Sequence, residues 1–332
     1  MSKTIVLIQL EESGQDAETF RKAVLSDPAL DEKVELRFLN GEDDFKRAIR
    51  GAEIVVCGNM PEDVLSNAVR LKWVSFWSAG LDHKITSALR EHSPLITNAS
   101  GVHAANIAEH VLMFMLMFNR RMNLHFRDQL ESKWGHDFDA RATGADELTG
   151  RTLGIIGLGR IGEALAKRAK AFEMQVIATK RDLSSRHSEE VELDAVYPAS
   201  DLSRLLSESD HVCLTVPHTP ETHHLINADN LALMKPTAYF YNIGRGKCVD
   251  EAALIRALQE KTIAGAGLDV FETEPLPSES PLWKMENVLI TPHNSGLTPY
   301  YFSRAAVLFV ENLKRYLADE PLKNRYEEKR GY

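Results

Sequence analysis

The strand-like run Leu153-Gly154-Ile155-Ile156 leads straight into Gly157-Leu158-Gly159-Arg160-Ile161-Gly162, and the stretch after it has helical spacing. On its own, GxGxxG is a weak signal. Placed between a strand and a helix, it restricts the chain to one kind of turn. The first glycine permits the tight turn, the second lets backbone approach a pyrophosphate, and the third allows helix and strand to pack closely. Free N–H groups at the helix start add donors and positive partial charge. Gly157, Gly159, Arg160, Ile161 and Gly162 are therefore expected to hold the phosphates of a dinucleotide.

Short Val- and Ile-rich runs alternate with amphipathic stretches through most of the 332 residues. That alternation implies parallel strands joined by crossover helices, an α/β fold. The length is roughly twice that of a usual domain, which predicts two domains. Strands are expected at Thr4–Leu10, Val34–Leu39, Glu53–Cys57, Trp73–Phe76 and Leu95–Thr97, with helices between them that include Asp44–Arg50 and Ile85–His92. A long apolar helix follows from about Ala104 to Arg121, and the polar stretch from Gly135 to Glu147 reads as a crossover. From Leu148 the alternation restarts, with strands expected at Thr152–Ile156, Gln175–Ala178, His211–Val216, Ala238–Asn242, Ala264–Val270 and Val288–Thr291. The last helix, about Pro299–Leu317, has no strand after it. It is expected to return to the first domain, making that domain discontinuous: 1–100 with 297–332, around an inserted 101–296. Both domains are expected to be doubly wound parallel sheets.

Composition narrows the function. Hydrophobic residues make up 44% and charged residues 26%, an ordinary globular balance. A net charge of −9 argues against a nucleic-acid backbone as partner, which needs a basic surface. Cys57, Cys213 and Cys248 lack CxxC spacing and mostly sit in apolar runs, so buried free thiols and a reducing cytoplasm are expected. The apolar run at the start is too short for a signal segment and reads as a first strand. No apolar run approaches the roughly 20 residues of a membrane span. His103, His110, His218, His223 and His224 show neither HExxH nor paired Cys/His spacing, so no metal is expected. A G-x-S-x-G elbow is missing, which disfavours a serine hydrolase.

Three polar clusters each follow an expected strand of the inserted domain, and strand carboxyl ends are where open α/β sheets bind ligands. They are Tyr241-Asn242-Ile243-Gly244-Arg245-Gly246-Lys247, Leu268-Asp269-Val270-Phe271-Glu272-Thr273-Glu274-Pro275 and Thr291-Pro292-His293-Asn294-Ser295-Gly296. At these clusters the chain resembles the D-isomer-specific 2-hydroxyacid dehydrogenases. The likeness extends to Val216-Pro217-His218-Thr219-Pro220-Glu221-Thr222, the Ala108-Glu109-His110 helix and the pattern from Asn312-Leu313 to Gly331-Tyr332. The resemblance implies a Rossmann cofactor domain inserted in a flavodoxin-like substrate domain. It implies Arg245 as the substrate arginine, His293 as acid and base, and Glu274 as the carboxylate that orients it. The backbone of Ala79 and Gly80, in the loop Ser78-Ala79-Gly80-Leu81-Asp82, would take the substrate carboxylate, with Trp77 either bordering the substrate or packed under the loop. Val216, Pro217, Thr222, Ile243, Gly244, Asp269, His293 and Gly296 would contribute to the cofactor site, with Asp269 near the nicotinamide.

The chemistry agrees with this assignment. Hydride addition to a ketone builds charge on oxygen, which a protonated histidine relieves, and a carboxylate on its other nitrogen fixes the tautomer. A guanidinium fork grips carboxylate and carbonyl oxygens together. Formate dehydrogenases, by resemblance, pair the histidine with glutamine, so Glu274 favours a hydroxy acid. A cofactor-sensing dehydrogenase-like corepressor and a phosphite dehydrogenase remain as alternatives. The second strand ends in Thr179-Lys180-Arg181, where an NAD enzyme usually places an acid against the ribose hydroxyls, so NADP is the expected cofactor, with NAD possible. Ser184, Ser185 and Arg186 lie close enough in sequence to contribute. The apolar helix at 104–121, rich in Met, is expected to be core and to carry a homodimer interface.

Overall fold

The computed structural model describes residues 3–39, 42–81, 84–134, 144–184 and 191–328. Most of the expected crossover at 135–147, together with Asp82, Ser185, Arg186, Gly331 and Tyr332, lies outside them. The chain forms two compact units, Met1–Val102 with Thr298–Tyr332, and His103–Leu297.

The first unit is built on a parallel sheet of β1 (Thr4–Ile8), β2 (Val34–Phe38), β3 (Ile54–Cys57), β4 (Trp73–Phe76) and β5 (Leu95–Thr97), in the order β2-β1-β3-β4-β5. This is the flavodoxin order. β3 and β4 are buried at every position, as strands covered on both faces require. One cover is α1 (Gln15–Leu25), which packs against the carboxyl-terminal helix Tyr301–Leu317. That helix places Phe309 5.2 Å from both Phe20 and Trp73, ring centre to ring centre, and Tyr316 5.5 Å from Trp73. Trp73 also spends its indole N–H on Thr97 Oγ1 at 2.9 Å, so its one polar atom is satisfied inside the core. Beyond the helix, Asn324 and Tyr326 bond the backbone of Asn98 and Ile96, tying the last described segment to β5.

The second unit carries seven parallel strands: β6 (Thr152–Ile156), β7 (Gln175–Lys180), β8 (Ala195–Pro198), β9 (His211–Leu214), β10 (Tyr239–Asn242), β11 (Gly265–Leu268) and β12 (Val288–Ile290). Their order is β12-β11-β10-β9-β6-β7-β8, so the winding reverses between β6 and β9. Such a switch point opens a crevice at the strand carboxyl ends. The helices flanking this unit include α2 (Ala104–Asn119), α3 (Met122–Leu130) and α4 (Arg160–Ala171), and α2 packs against α4. Edge strand β8, absent from the expected list, is half-buried at all four positions.

One buried polar pair makes this core sensitive to pH. His211 is 2% exposed, and its Nδ1 lies 2.9 Å from the hydroxyl of fully buried Tyr241. Burial pushes the His211 pKa down to about 4, and Tyr241 stays a phenol, so both members of the pair are neutral. A histidine whose folded pKa is depressed contributes stability above its unfolded value, and that stability is lost as pH falls toward the folded one. From about 6.5 down to about 4 this group alone should cost about 3 kcal/mol. Urea unfolding at pH 7 and pH 4.5 should show a smaller acid loss for His211→Gln than for the unchanged chain; equal losses would remove His211 as the cause.

Candidate active site

β6 runs into Gly157, whose φ of +95° is one that L side chains rarely adopt. A Cβ there would also lie 2.5 Å from Val216 Cγ1. Threonines at the ends of the flanking strands pin the turn. Thr215 donates to the Gly157 carbonyl at 2.5 Å, and Thr179 accepts the Gly157 N–H at 3.3 Å. α4 then begins at Arg160, with Gly159 as an N-cap that offers no side chain to the N–H donors of the first turn. Those donors, and the helix dipole behind them, suit an anion. The turn, the uncapped helix start and Gly162 packed on Gly157 and Ile155 fit the pyrophosphate of a dinucleotide.

Thr179 requires a correction. It is 3% exposed and its hydroxyl braces the glycine turn, so it offers no exposed donor to a ribose phosphate. Lys180 is half-buried and Arg181 exposed at the end of β7. A Thr219 side-chain hydrogen bond and, more weakly, the charge of Arg181 hold the Glu221 carboxyl below its usual range. The loop after β9 is closed by Thr222, which accepts the Thr219 N–H and donates to the Pro217 carbonyl, both at 2.7 Å.

The loop after β10 is shaped by Asn242, whose side chain accepts the Gly244 N–H and donates to the Arg245 carbonyl, both at 3.1 Å. Ile243 is 5% exposed and belongs to the core, leaving Gly244 and Arg245 at the turn. Arg245 is half-buried, with Nη1 2.7 Å from the Gly244 carbonyl. Gly246 follows because nothing larger fits: a Cβ would lie 1.8 Å from the Phe271 carbonyl oxygen. The arginine loop is thereby pressed against the Asp269–Glu274 loop.

His293 Nδ1 lies 2.7 Å from Glu274 Oε2, and Glu274 Oε1 accepts the Phe271 N–H at 3.0 Å. The carboxylate is thus held at one end and holds the ring at the other. The His293 side chain is 50% exposed, and with Nδ1 engaged, Nε2 is the nitrogen left for proton transfer. His293 has φ +49°, and its N–H donates to the Asp269 carbonyl at 2.8 Å.

Asp269 also departs from expectation. It is 0% exposed, and its carboxylate accepts from Thr291 Oγ1 (2.6 Å), the Asn294 N–H (2.9 Å), and the N–H and hydroxyl of Ser295 (3.1 and 2.5 Å). It organises the His293 loop rather than presenting a carboxylate to a nicotinamide. Thr291, Asn294 and Ser295 were not singled out from sequence; the signal was present, since an Asp buried at a strand end needs donors and these flank the histidine. Gly296 ends the loop near the His103 ring. Among the described residues no cluster could hold a metal ion.

In the first unit, Trp77 is 9% exposed and packs edge-on against Phe20 and Phe302, at 5.5 and 5.6 Å. Its indole is core, the packed position of the two expected for it. Ala79 and Gly80 are half-buried in a loop braced by Asn98, which donates to the Ala79 carbonyl at 2.9 Å, and by Ser78, which donates to the Gly80 carbonyl at 2.8 Å. Both braces consume carbonyls and leave the N–H groups to other partners.

Comparison with known proteins agrees with this geometry. The family model described as D-isomer specific 2-hydroxyacid dehydrogenase, NAD binding domain, matches residues 112–295. The chain is 40% identical over 268 residues to glyoxylate/hydroxypyruvate reductase B of Pectobacterium carotovorum subsp. carotovorum (strain PC1), covering 80% of this chain and 82% of that protein. It is 39% identical over 251 residues to glyoxylate reductase of Korarchaeum cryptofilum (strain OPF8), covering 76% and 74%. A D-isomer specific 2-hydroxyacid dehydrogenase from Xanthobacter autotrophicus Py2, solved with NADPH and MES, matches with a TM-score of 0.80 at 30% identity, over 100% of both chains. The chain therefore belongs to the D-isomer-specific 2-hydroxyacid dehydrogenase family, enzymes that move a hydride between a nicotinamide cofactor and a 2-keto or 2-hydroxy acid.

Proposed function

We propose that this chain reduces a small 2-keto acid of the glyoxylate or hydroxypyruvate class, with His293, Glu274 and Arg245 as its catalytic residues. The observation that carries the proposal is the 2.7 Å contact between His293 Nδ1 and Glu274 Oε2 beside the arginine loop of a dinucleotide-binding sheet. The second unit then binds the cofactor. When bound, a reduced nicotinamide supplies the hydride. Charge grows on the substrate oxygen, and Nε2–H of the imidazolium delivers a proton to it; in the reverse direction neutral Nε2 accepts that proton. Glu274 keeps the other proton on Nδ1 and fixes the ring's orientation. Arg245 binds the acid through its planar fork. His293→Ala should lower kcat by about 10²-fold or more with NADPH binding retained. Arg245→Lys should sharply weaken keto acid use, because the bidentate geometry is lost. Unchanged turnover in either variant would remove that residue from the mechanism. A screen of 2-keto acids, with phosphite included, separates this reading from phosphite oxidation, and turnover of any of them separates it from a corepressor.

For the cofactor the proposal is NADPH ahead of NADH. Lys180 and Arg181 end β7 where an acid would meet the ribose hydroxyls, and charge-assisted hydrogen bonds from them favour a 2′-phosphate. The NADPH complex of the Xanthobacter relative supports this choice. Two such bonds at roughly 1.5 kcal/mol each give a preference of order 10²-fold in kcat/KM. Lys180→Asp with Arg181→Ala should invert or erase it; a ratio that does not move would show that the pair does not read the phosphate.

A cytoplasmic homodimer completes the proposal. Three buried cysteines that form no disulfide support the compartment. For the dimer, α3 buries none of its residues, and its Met122, Phe126 and Leu130 are 47%, 55% and 71% exposed. Next to them on α2, Met113 and Leu116 are also exposed, an apolar surface suited to a second copy. Sedimentation at micromolar concentration should find a dimer, and a species of monomer mass alone would contradict it.

A further inference from the structure

We infer that His110, on α2, is a positioning residue for His293, acting through Thr291 and Asp269. The inference rests on the reading of His293 as the proton carrier. His110 Nε2 lies 3.0 Å from Thr291 Oγ1, and Thr291 Oγ1 lies 2.6 Å from Asp269 Oδ1. A hydroxyl has one proton and a carboxylate only accepts, so Thr291 donates to Asp269. The Thr291 oxygen is then left to accept, and His110 carries its proton on Nε2. Burial holds the His110 pKa below its usual value, against the opposing charge of Asp269, so the ring is neutral and this N–H is the only one it has. Its edge-on contact with Phe114, at 4.7 Å, fixes the ring plane.

The chain of donors ends on the group that shapes the reacting loop. Asp269 Oδ1 takes the Asn294 N–H as well as the Thr291 hydroxyl, and the Asp269 carbonyl takes the N–H of His293 itself. Left-handed backbone at His293 persists only where its surroundings over-determine it. His110 orients one of those surroundings from a helix that sequence assigns to packing and subunit contact.

His110→Phe keeps a ring against Phe114 but removes the donor, whereas His110→Gln retains an N–H at similar reach. We expect kcat to fall about 10- to 100-fold in His110→Phe, with KM for glyoxylate and Kd for NADPH nearly unchanged, and to recover in His110→Gln. Thr291→Val should repeat the loss and Thr291→Ser relieve it, which keeps the test open if His110→Phe folds poorly. In a His293→Ala background, His110→Phe should add no further loss, because both act at one atom. Undiminished kcat in folded His110→Phe and Thr291→Val, or the same loss persisting in the His293→Ala background, overturns the role of His110. Undiminished kcat in His293→Ala alone overturns instead the reading of His293, so the two failures are distinguishable.

Discussion

The fully buried carboxylate of Asp269 is the constraint on which the site depends. A buried charge is tolerated only when its oxygens are met by donors, and these come from Thr291, Asn294 and Ser295, the residues on either side of His293. Each hydrogen bond to such a charge is worth about 1.5–3 kcal/mol, so releasing the loop is expensive. The same stretch of chain continues through Phe271, whose carbonyl abuts Gly246 and whose N–H holds Glu274. One buried ion and one close backbone approach thereby bring Arg245, Glu274 and His293 into a single frame. All three stand on loops after strands β10, β11 and β12, which the parallel sheet places side by side.

The opposite side of the switch point is built with a different device. There the glycine turn is held by hydroxyls, Thr179 on one flank and Thr215 on the other, and the N-cap of α4 is a glycine with no side chain to bond its first N–H groups. The helix dipole gives that end positive partial charge, with Glu163 the acidic residue of its first turn. The cations at Lys180 and Arg181 extend that positive region beyond β7.

Much of this was legible in the sequence. The inner strands announce themselves as apolar runs, and β4 and β6 fall where expected, residue for residue. The glycine turn and the Arg245, Glu274 and His293 clusters were readable because their residue types are unusual at strand ends. What escaped is what depends on side-chain direction. Trp77 and Thr179 stand at or just past the ends of strands buried on both faces, and sequence alone does not say whether a residue there packs in the core or meets a ligand; both are buried. Asp269 was recognised as unusual but assigned to the cofactor, since its true partners lie more than twenty positions away. The helix-borne His110 was invisible as a functional residue for the same reason: its contact with Thr291 spans 181 positions.

The central claim is that these strand-end loops serve hydride transfer to a 2-keto acid with proton delivery by His293. The most direct measurement follows the label from NADPH carrying deuterium at the transferring position of C4 into the product formed from hydroxypyruvate, by proton and deuterium NMR. The account predicts deuterium on C2 of a D-2-hydroxy acid in one-to-one ratio with NADPH consumed. Cofactor consumed without deuterium at C2, or no turnover of any 2-keto acid by the folded protein, would contradict it.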